Sequence, residues 1–320
     1  MTTLLFIVRR LLSMLLTLFG VSVIIFVVLR LLPGNAVTAA MGVSLGLLNH
    51  AQVIALDHYY GVGQPAIDQY FSWLHAMLTG NLGISLASRE SVSTLIGAAL
   101  PVTIELAFFA MLFGVVIGVG LGMLGALHPG KWQDDLGQGV AVVGLAVPSF
   151  VIGTVSVTFL ASVFHYFPSS LGFVSLFSNP WLNFQQILFP ALTLSLGVGA
   201  AIMRTTRGSV LEISGLNFAR TALGKGVSRR AFVWRHLFLN ALTSVVTMSG
   251  IQLGYLFGGT VIIEQIFILP GMGRLLIFSI NNRDFPVVQS VTLIFAAGFV
   301  IVNLLVDLFY TFVDPRTRER

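Results

Sequence analysis

The sequence predicts an all-α membrane protein with six transmembrane helices. Three observations carry that prediction. First, 56% of the 320 residues are hydrophobic and only 9% are charged, with a mean hydropathy of +0.93. So few charges cannot cover a water-exposed surface. Second, charge-poor apolar runs recur at the length of about 20 residues that a helix needs to cross a bilayer core of roughly 30 Å. Third, basic residues concentrate between and beyond alternate runs, the signature of a fixed membrane orientation.

The first span is expected over 11–32, charged only at Arg30. Basic residues precede this apolar run as in a signal peptide. The run is longer than a signal peptide's, and no small-residue cleavage site follows, so a retained span is expected. The second covers 101–127, charged only at Glu105. Leu136 to Met203 contains no Asp, Glu, Lys or Arg, which is too long for one span. The stretch HYFPSSLGFVSLFSNPWLNFQQ, rich in turn formers and aromatics, divides it into spans over 137–163 and 187–203. The fifth and sixth are expected over 240–263 and 287–313, the latter charged only at Asp307. The whole chain, 1–320, reads as a single transmembrane domain.

With the N-terminus inside, 13 of the 17 Lys and Arg residues fall on the cytoplasmic side. An even number of spans places the C-terminus inside as well. The reverse orientation inverts the bias. An extended external segment follows the first span, with amphipathic pieces such as DQYFSWLHAMLTG suited to a helix along the outer interface. The internal segment 204–239 includes NFARTALGKGVSRRAFVWRH, with five basic residues and no acidic one.

Within that segment, Leu211, Gly215, Phe218 and Ala222 recur at helical spacing. Gly224 and Gly226 interrupt the pattern. Ser228 is placed to cap a following helix that continues toward the fifth span. A short helix leaving the membrane is therefore expected, its exposed face carrying Phe218, Ala219 and Ala222 with Arg220 beside them. Small residues admit a close partner surface, and an aromatic fills a pocket. The basic residues also suit anionic lipid. No nucleic-acid reading module is present.

These residues resemble the cytoplasmic EAA loop of ABC-importer permeases, and more narrowly those of the dipeptide, oligopeptide and nickel type. RTALGKGVSRRAFVWRHLFLNALTS carries the likeness. RRLLSMLLTLFGVSVIIFVVLRLLPGN, LPVTIELA, GGTVIIEQIFILPGMGRLLIFSINNRDFPVVQ and NLLVDLFYTFVDPR extend it over nearly the whole chain. Leu223 stands where the family usually has Arg, Ser244 where it has Pro, and Asn35 where it has an acidic residue. The resemblance implies the transmembrane subunit of an ATP-driven importer in the bacterial inner membrane, forming half of a pathway for peptides or a related small solute. A nickel or metal-chelate importer is the alternative within the family. It implies a second, homologous permease, two ABC ATPases carrying ATP and Mg, and an external binding protein. Asn217, Phe218, Ala219, Arg220, Thr221 and Ala222, with Gly226 at the turn, are the implied ATPase-coupling residues.

The chain itself predicts no ATP site, cofactor or metal. ALGKGVS lacks the glycine spacing and the Ser or Thr after Lys of a P-loop. The six His residues show no repeated ligand spacing. Glu105, Gln252, Asn303 and Asp307 are polar groups within spans and hence candidates for the pathway or a gate. Glu264, Arg274, Arg283 and Asp284 crowd a short external segment and are candidates for binding-protein docking. Gly114, Gly118 and Gly122, four residues apart, predict close helix packing. A stand-alone secondary carrier wants inverted repeats or several paired intramembrane acids, and only Glu105 and Asp307 are present.

Overall fold

The computed structural model describes residues 3–31, 64–165 and 172–313. Among these, every element is helical except one isolated antiparallel bridge between Ile84 and Ser91. The elements are α1 (Thr3–Leu31), α2 (Ala66–Leu78), α3 (Val92–Leu127), α4 (Trp132–Ala146), α5 (Ser149–Phe164), α6 (Pro180–Gly215), α7 (Asn217–Gly224), α8 (Arg229–Ala231), a π-helical segment (Phe232–Phe238), α9 (Leu239–Ile266), α10 (Met272–Asn281) and α11 (Phe285–Val313).

Among the described residues, five helices are long and apolar enough to cross a membrane: Val8–Leu29, Val92–Leu127, Pro180–Gly215, Arg229–Ile266 and Phe285–Val306. The pair α4 and α5 passes the same test together but is bent by 102° at its break, the geometry of a broken span or of a re-entrant loop, so the candidate spans number five or six. The helix breaks within the third span expected over 137–163. Val147 (φ −91°, ψ 121°) and Pro148 (φ −58°, ψ 138°) are extended. Proline pushes its predecessor out of helical geometry and offers no N–H to continue the ladder.

The fourth span, expected over 187–203, lies within the 36-residue α6. Pro180 occupies its first turn, and the Asn179 side chain accepts a hydrogen bond from Leu182 N at 3.1 Å. A helix of that length runs about 54 Å, well beyond a bilayer core of about 30 Å. Its end, bearing Arg204 and Arg207, is therefore long enough to leave the apolar layer without breaking the helix.

The chain divides into two compact units. One comprises residues 1–7, 104–269 and 302–320. Its centre is α6, largely buried by α4, α5 and α9. The glycine face of α3 lies directly on α6. A Cβ added at Gly114, Gly118 or Gly122 would stand 2.6 Å from Val198 Cγ1, 2.6 Å from the Gly199 carbonyl oxygen and 2.7 Å from Thr206 Cβ, respectively. The expected small-residue packing is thus observed. Gly144 on α4 is equally constrained, 2.6 Å from the Leu196 carbonyl oxygen.

The second unit comprises 8–103 and 270–301. Here α2 is the amphipathic helix expected after the first span. Its buried Tyr70 shares a 2.8 Å hydrogen bond with Ser22 of α1 and meets Phe26 edge-on at 5.1 Å. Val92, Ile96 and Ala99 of α3 pack with Met272, Val287 and Val291. The buried Thr103 hydroxyl accepts from Met272 N at 2.8 Å, satisfying one of the free N–H groups that open α10.

Candidate functional site

The internal basic segment holds the end of α6, the short helix α7 and the start of a continuous helical rod. α6 ends at Gly215, and Leu216 is extended (φ −72°, ψ 152°) before α7 begins. The helical stripe expected from Leu211 to Ala222 is therefore split by a turn: Leu211 and Gly215 lie on α6, Phe218 and Ala222 on α7. Gly226 closes α7 with φ +77°, a left-handed conformation that glycine adopts without steric cost. The Ser228 hydroxyl then accepts from Ala231 N at 3.4 Å, as its position predicts. From Arg229 the chain runs helically to Ile266. Its π-helical segment makes a local break in hydrogen-bond register, a feature common at functional sites.

The orientation of α7 corrects the exposed face expected from sequence. Ala219 (0% exposed) and Ala222 (8%) point inward. They join Met123, Ala126, Val210, Phe232, Leu237 and Ala241 in one apolar cluster. Their small size lets this eight-residue helix of about two turns sit closely on the bundle. Phe218 (43%) lies on the outward face as expected, joined there by Leu223 (51%), with Leu216 at the turn before it. Asn217, Arg220, Thr221, Lys225 and Gly226 are also exposed. Leu216 and Leu223 were not among the sequence-predicted residues. Only the docked helix separates its inward alanines from its outward leucines.

An ion pair braces the same end of this unit. Arg207 Nε and Nη2 donate to Asp134 Oδ1 and Oδ2 at 2.6 and 2.8 Å. Asp134 is buried and also accepts from Gly130 N at 3.1 Å. This bidentate geometry ties α4 and the preceding turn to α6. Neither residue was singled out from sequence, because 73 positions separate them.

A second feature lies at the break between α4 and α5. A cavity of about 310 Å³ is lined by Gly144, Pro148 and Ser149 at the break, Thr193 on α6, and Gln252 and Tyr255 on α9, with apolar neighbours. Among the described residues, Gln252 is the pathway candidate that lines it. Glu105, half-buried on α3, lies beside the Asn183 side chain, and its Oε1 is buried without a hydrogen-bond partner. Asn303 is half-buried on α11. Asp307 lies on α11, but its side chain falls outside the described residues.

The docking set is corrected in part. Glu264 and Asp284 are buried, so neither carboxylate faces outward to a partner. Asp284 Oδ2 accepts from the Ser85 hydroxyl and from Ala87 N at 3.3 Å. It clasps the 85–91 turn to the start of α11. Arg274 is half-buried and Arg283 exposed. Asp284→Ala is expected to loosen that turn by about 1–3 kcal/mol, the cost of stranding buried donors. Faster hydrogen exchange at Ala87 than in the parent chain checks it.

Comparison with known proteins supplies the identity. Residues 114–319 match the family described as binding-protein-dependent transport system inner membrane component. Residues 3–107 match the N-terminal part of such membrane components. The chain is 34% identical over 316 residues to the glutathione transport system permease protein GsiC of Escherichia coli O6:H1, covering 98% of this chain and 99% of that one. It is 35% identical over 317 residues to the GsiC protein of Shigella flexneri serotype 5b, again covering 98% and 99%. A crystal structure of an amino acid ABC transporter with histidines superposes with a TM-score of 0.50 at 15% identity, covering 68% of this chain and 94% of that chain. That likeness concerns the fold alone. With both family matches together spanning nearly every residue, the chain belongs to the binding-protein-dependent ABC importer permeases, inner-membrane subunits that lack ATPase activity of their own and work with ATPase and binding-protein partners.

Proposed function

We propose that this permease pairs with a second, homologous one to form a pathway for a peptide or related small solute, driven by two ABC ATPases that carry ATP and Mg. The GsiC relatives are named for glutathione transport, which supports a small peptide as the solute. The bias of basic residues supports a cytoplasmic position for α7, with both termini inside.

The observation that carries the coupling role is the two-faced α7. Its alanines anchor it to the bundle, while Phe218, Leu223 and the flanking Leu216 remain exposed. An aromatic and two leucines beside Arg220 fit an apolar groove with an acidic rim. Ala219 and Ala222 act as the anchor in this reading, and Asn217, Phe218, Arg220 and Thr221 as the contact. Gly226 sets the turn. Motion imposed on α7 reaches α9 through Phe232 and Leu237, which pack against its alanines. On the outer side, Arg283 is the outward-facing member of the docking set.

Phe218→Asp and Leu223→Asp test the reading at positions whose side chains are not needed inside. Each is expected to weaken ATPase copurification by about 2 kcal/mol, roughly thirtyfold, as for a central interface residue. Membrane insertion and thermal stability should match the parent. Undiminished ATPase binding and transport in both variants would sink the assignment. Ala222→Asp is a poorer probe, because it buries a charge in the chain's own core.

A further inference from the structure

The cavity at the break between α4 and α5 has a composition that the fold does not require. Gln252, Ser149 and Tyr255 bring side-chain donors and acceptors to it, and none of the three makes a hydrogen bond with a described residue. Thr193, by contrast, is satisfied by the Phe189 carbonyl at 2.9 Å. Among the described residues, none that lines it is charged. Ser149 and Gln252 are half-buried and Tyr255 is 73% exposed, so in a chain that is 56% hydrophobic three polar side chains without a protein partner stand together where water or solute reaches them. The break points the same way. Non-helical backbone within a membrane crossing is tolerated where it is buried in protein or lines a cavity, and Val147–Pro148 lies against this one.

We infer that this cavity is a solute-contact site of the pathway, and that it takes an uncharged, amide-bearing stretch of a small peptide. A primary amide offers both a carbonyl acceptor and two N–H donors, the complement of a peptide bond. Ser149 and Tyr255 hydroxyls can each donate or accept, so they tolerate either orientation of that bond. An ionised terminus or side chain finds no counter-charge in this lining and is disfavoured there. Selection among side chains then falls elsewhere, and the cavity reads what all small peptides share. This rests on the reading above that the chain forms half of a solute pathway.

The native chain contains no cysteine, so a single Gln252→Cys substitution gives a unique reporter. The transporter is assembled with its partner permease, ATPases and binding protein. It is treated with N-ethylmaleimide, which is uncharged and water-soluble. Labelling of the Gln252→Cys variant is expected to be at least about tenfold faster than that of Val155→Cys, at an exposed apolar position on α5, because a thiol must ionise in water to react. Saturating dialanine, trialanine or S-methylglutathione is expected to slow it by roughly threefold or more through occupancy of the site. Gln252→Leu should cut the uptake of a protecting peptide about tenfold, the order of one lost hydrogen bond, with thermal stability unchanged. Equal labelling at the two positions, or no protection by any of the three peptides, overturns the assignment. Unchanged uptake by Gln252→Leu does so too. ATPase copurification and its stimulation by the binding protein are measured in the same preparation. Their absence condemns the permease-coupling reading, whereas their presence with failed labelling condemns the cavity alone.

Discussion

Gly118→Val is expected to abolish the folded permease, while Gly120→Ala, two residues away, leaves it intact or slightly stabilised. At Gly118 even a methyl group would stand 2.6 Å from the Gly199 carbonyl oxygen and 2.9 Å from Ile202 Cβ. The obstacle is backbone of α6, which cannot swing aside as a flexible side chain does. Relief requires α3 and α6 to separate, and every contact along their seam weakens together. Overpacking a core costs about 1–3 kcal/mol where neighbours can adjust. A branched side chain against a fixed carbonyl exceeds that range. Gly120 has nothing within 4 Å of an added Cβ, so alanine there gains helix propensity, about 1 kcal/mol, without a clash. Thermal melts of detergent-solubilised protein distinguish the pair. Equal melting temperatures for the two variants would show that the seam is not closed.

Asp134→Ala is expected to cost about 2–4 kcal/mol, somewhat below the range for a fully buried pair. Arg207 keeps partial solvent access, at 27% side-chain exposure, which softens the loss. The cost arises chiefly because Arg207 and Gly130 N lose their acceptor. Asp134→Asn should cost less, since its amide oxygen can still accept from Gly130 N at the turn before α4. A double variant, Asp134→Leu with Arg207→Met, should recover most of the loss, because no charge is then stranded. A double-mutant cycle read by thermal unfolding checks this. Additive losses at the two positions would mean that the pair is not coupled.

The sequence speaks clearly where a local rule is sufficient. Span count, the glycine face of α3, the Ser228 cap and the helical run into α9 each depend on residues within a few turns of one another. The amphipathic α2 belongs with them. The break at Val147–Pro148 was also written locally, since a proline interrupts a charge-free stretch. Hydropathy averaging conceals it, because Val, Pro and Ser all fit an apolar run. The 36-residue length of α6 was hidden for the opposite reason: its basic end looks like a loop to any rule that equates charge with a span boundary.

What only the tertiary structure decided is which way things face. In α7, alanines, a phenylalanine and a leucine alternate closely enough that either side could pass for the exposed one. The cluster around Phe232 and Leu237 selects the alanines, because small side chains allow the closest approach. Asp284 reads as an external charge until Ser85 and Ala87, nearly 200 positions away, supply the donors that permit its burial. The Asp134–Arg207 pair and the convergence of Gln252 with the break between α4 and α5 depend likewise on distant segments meeting. Composition and periodicity determine that this chain is a bundle of membrane-crossing helices, since they register each residue's own preference for lipid or water. Burial of a particular polar or small side chain is a property of the partner it meets, and that partner is set by packing.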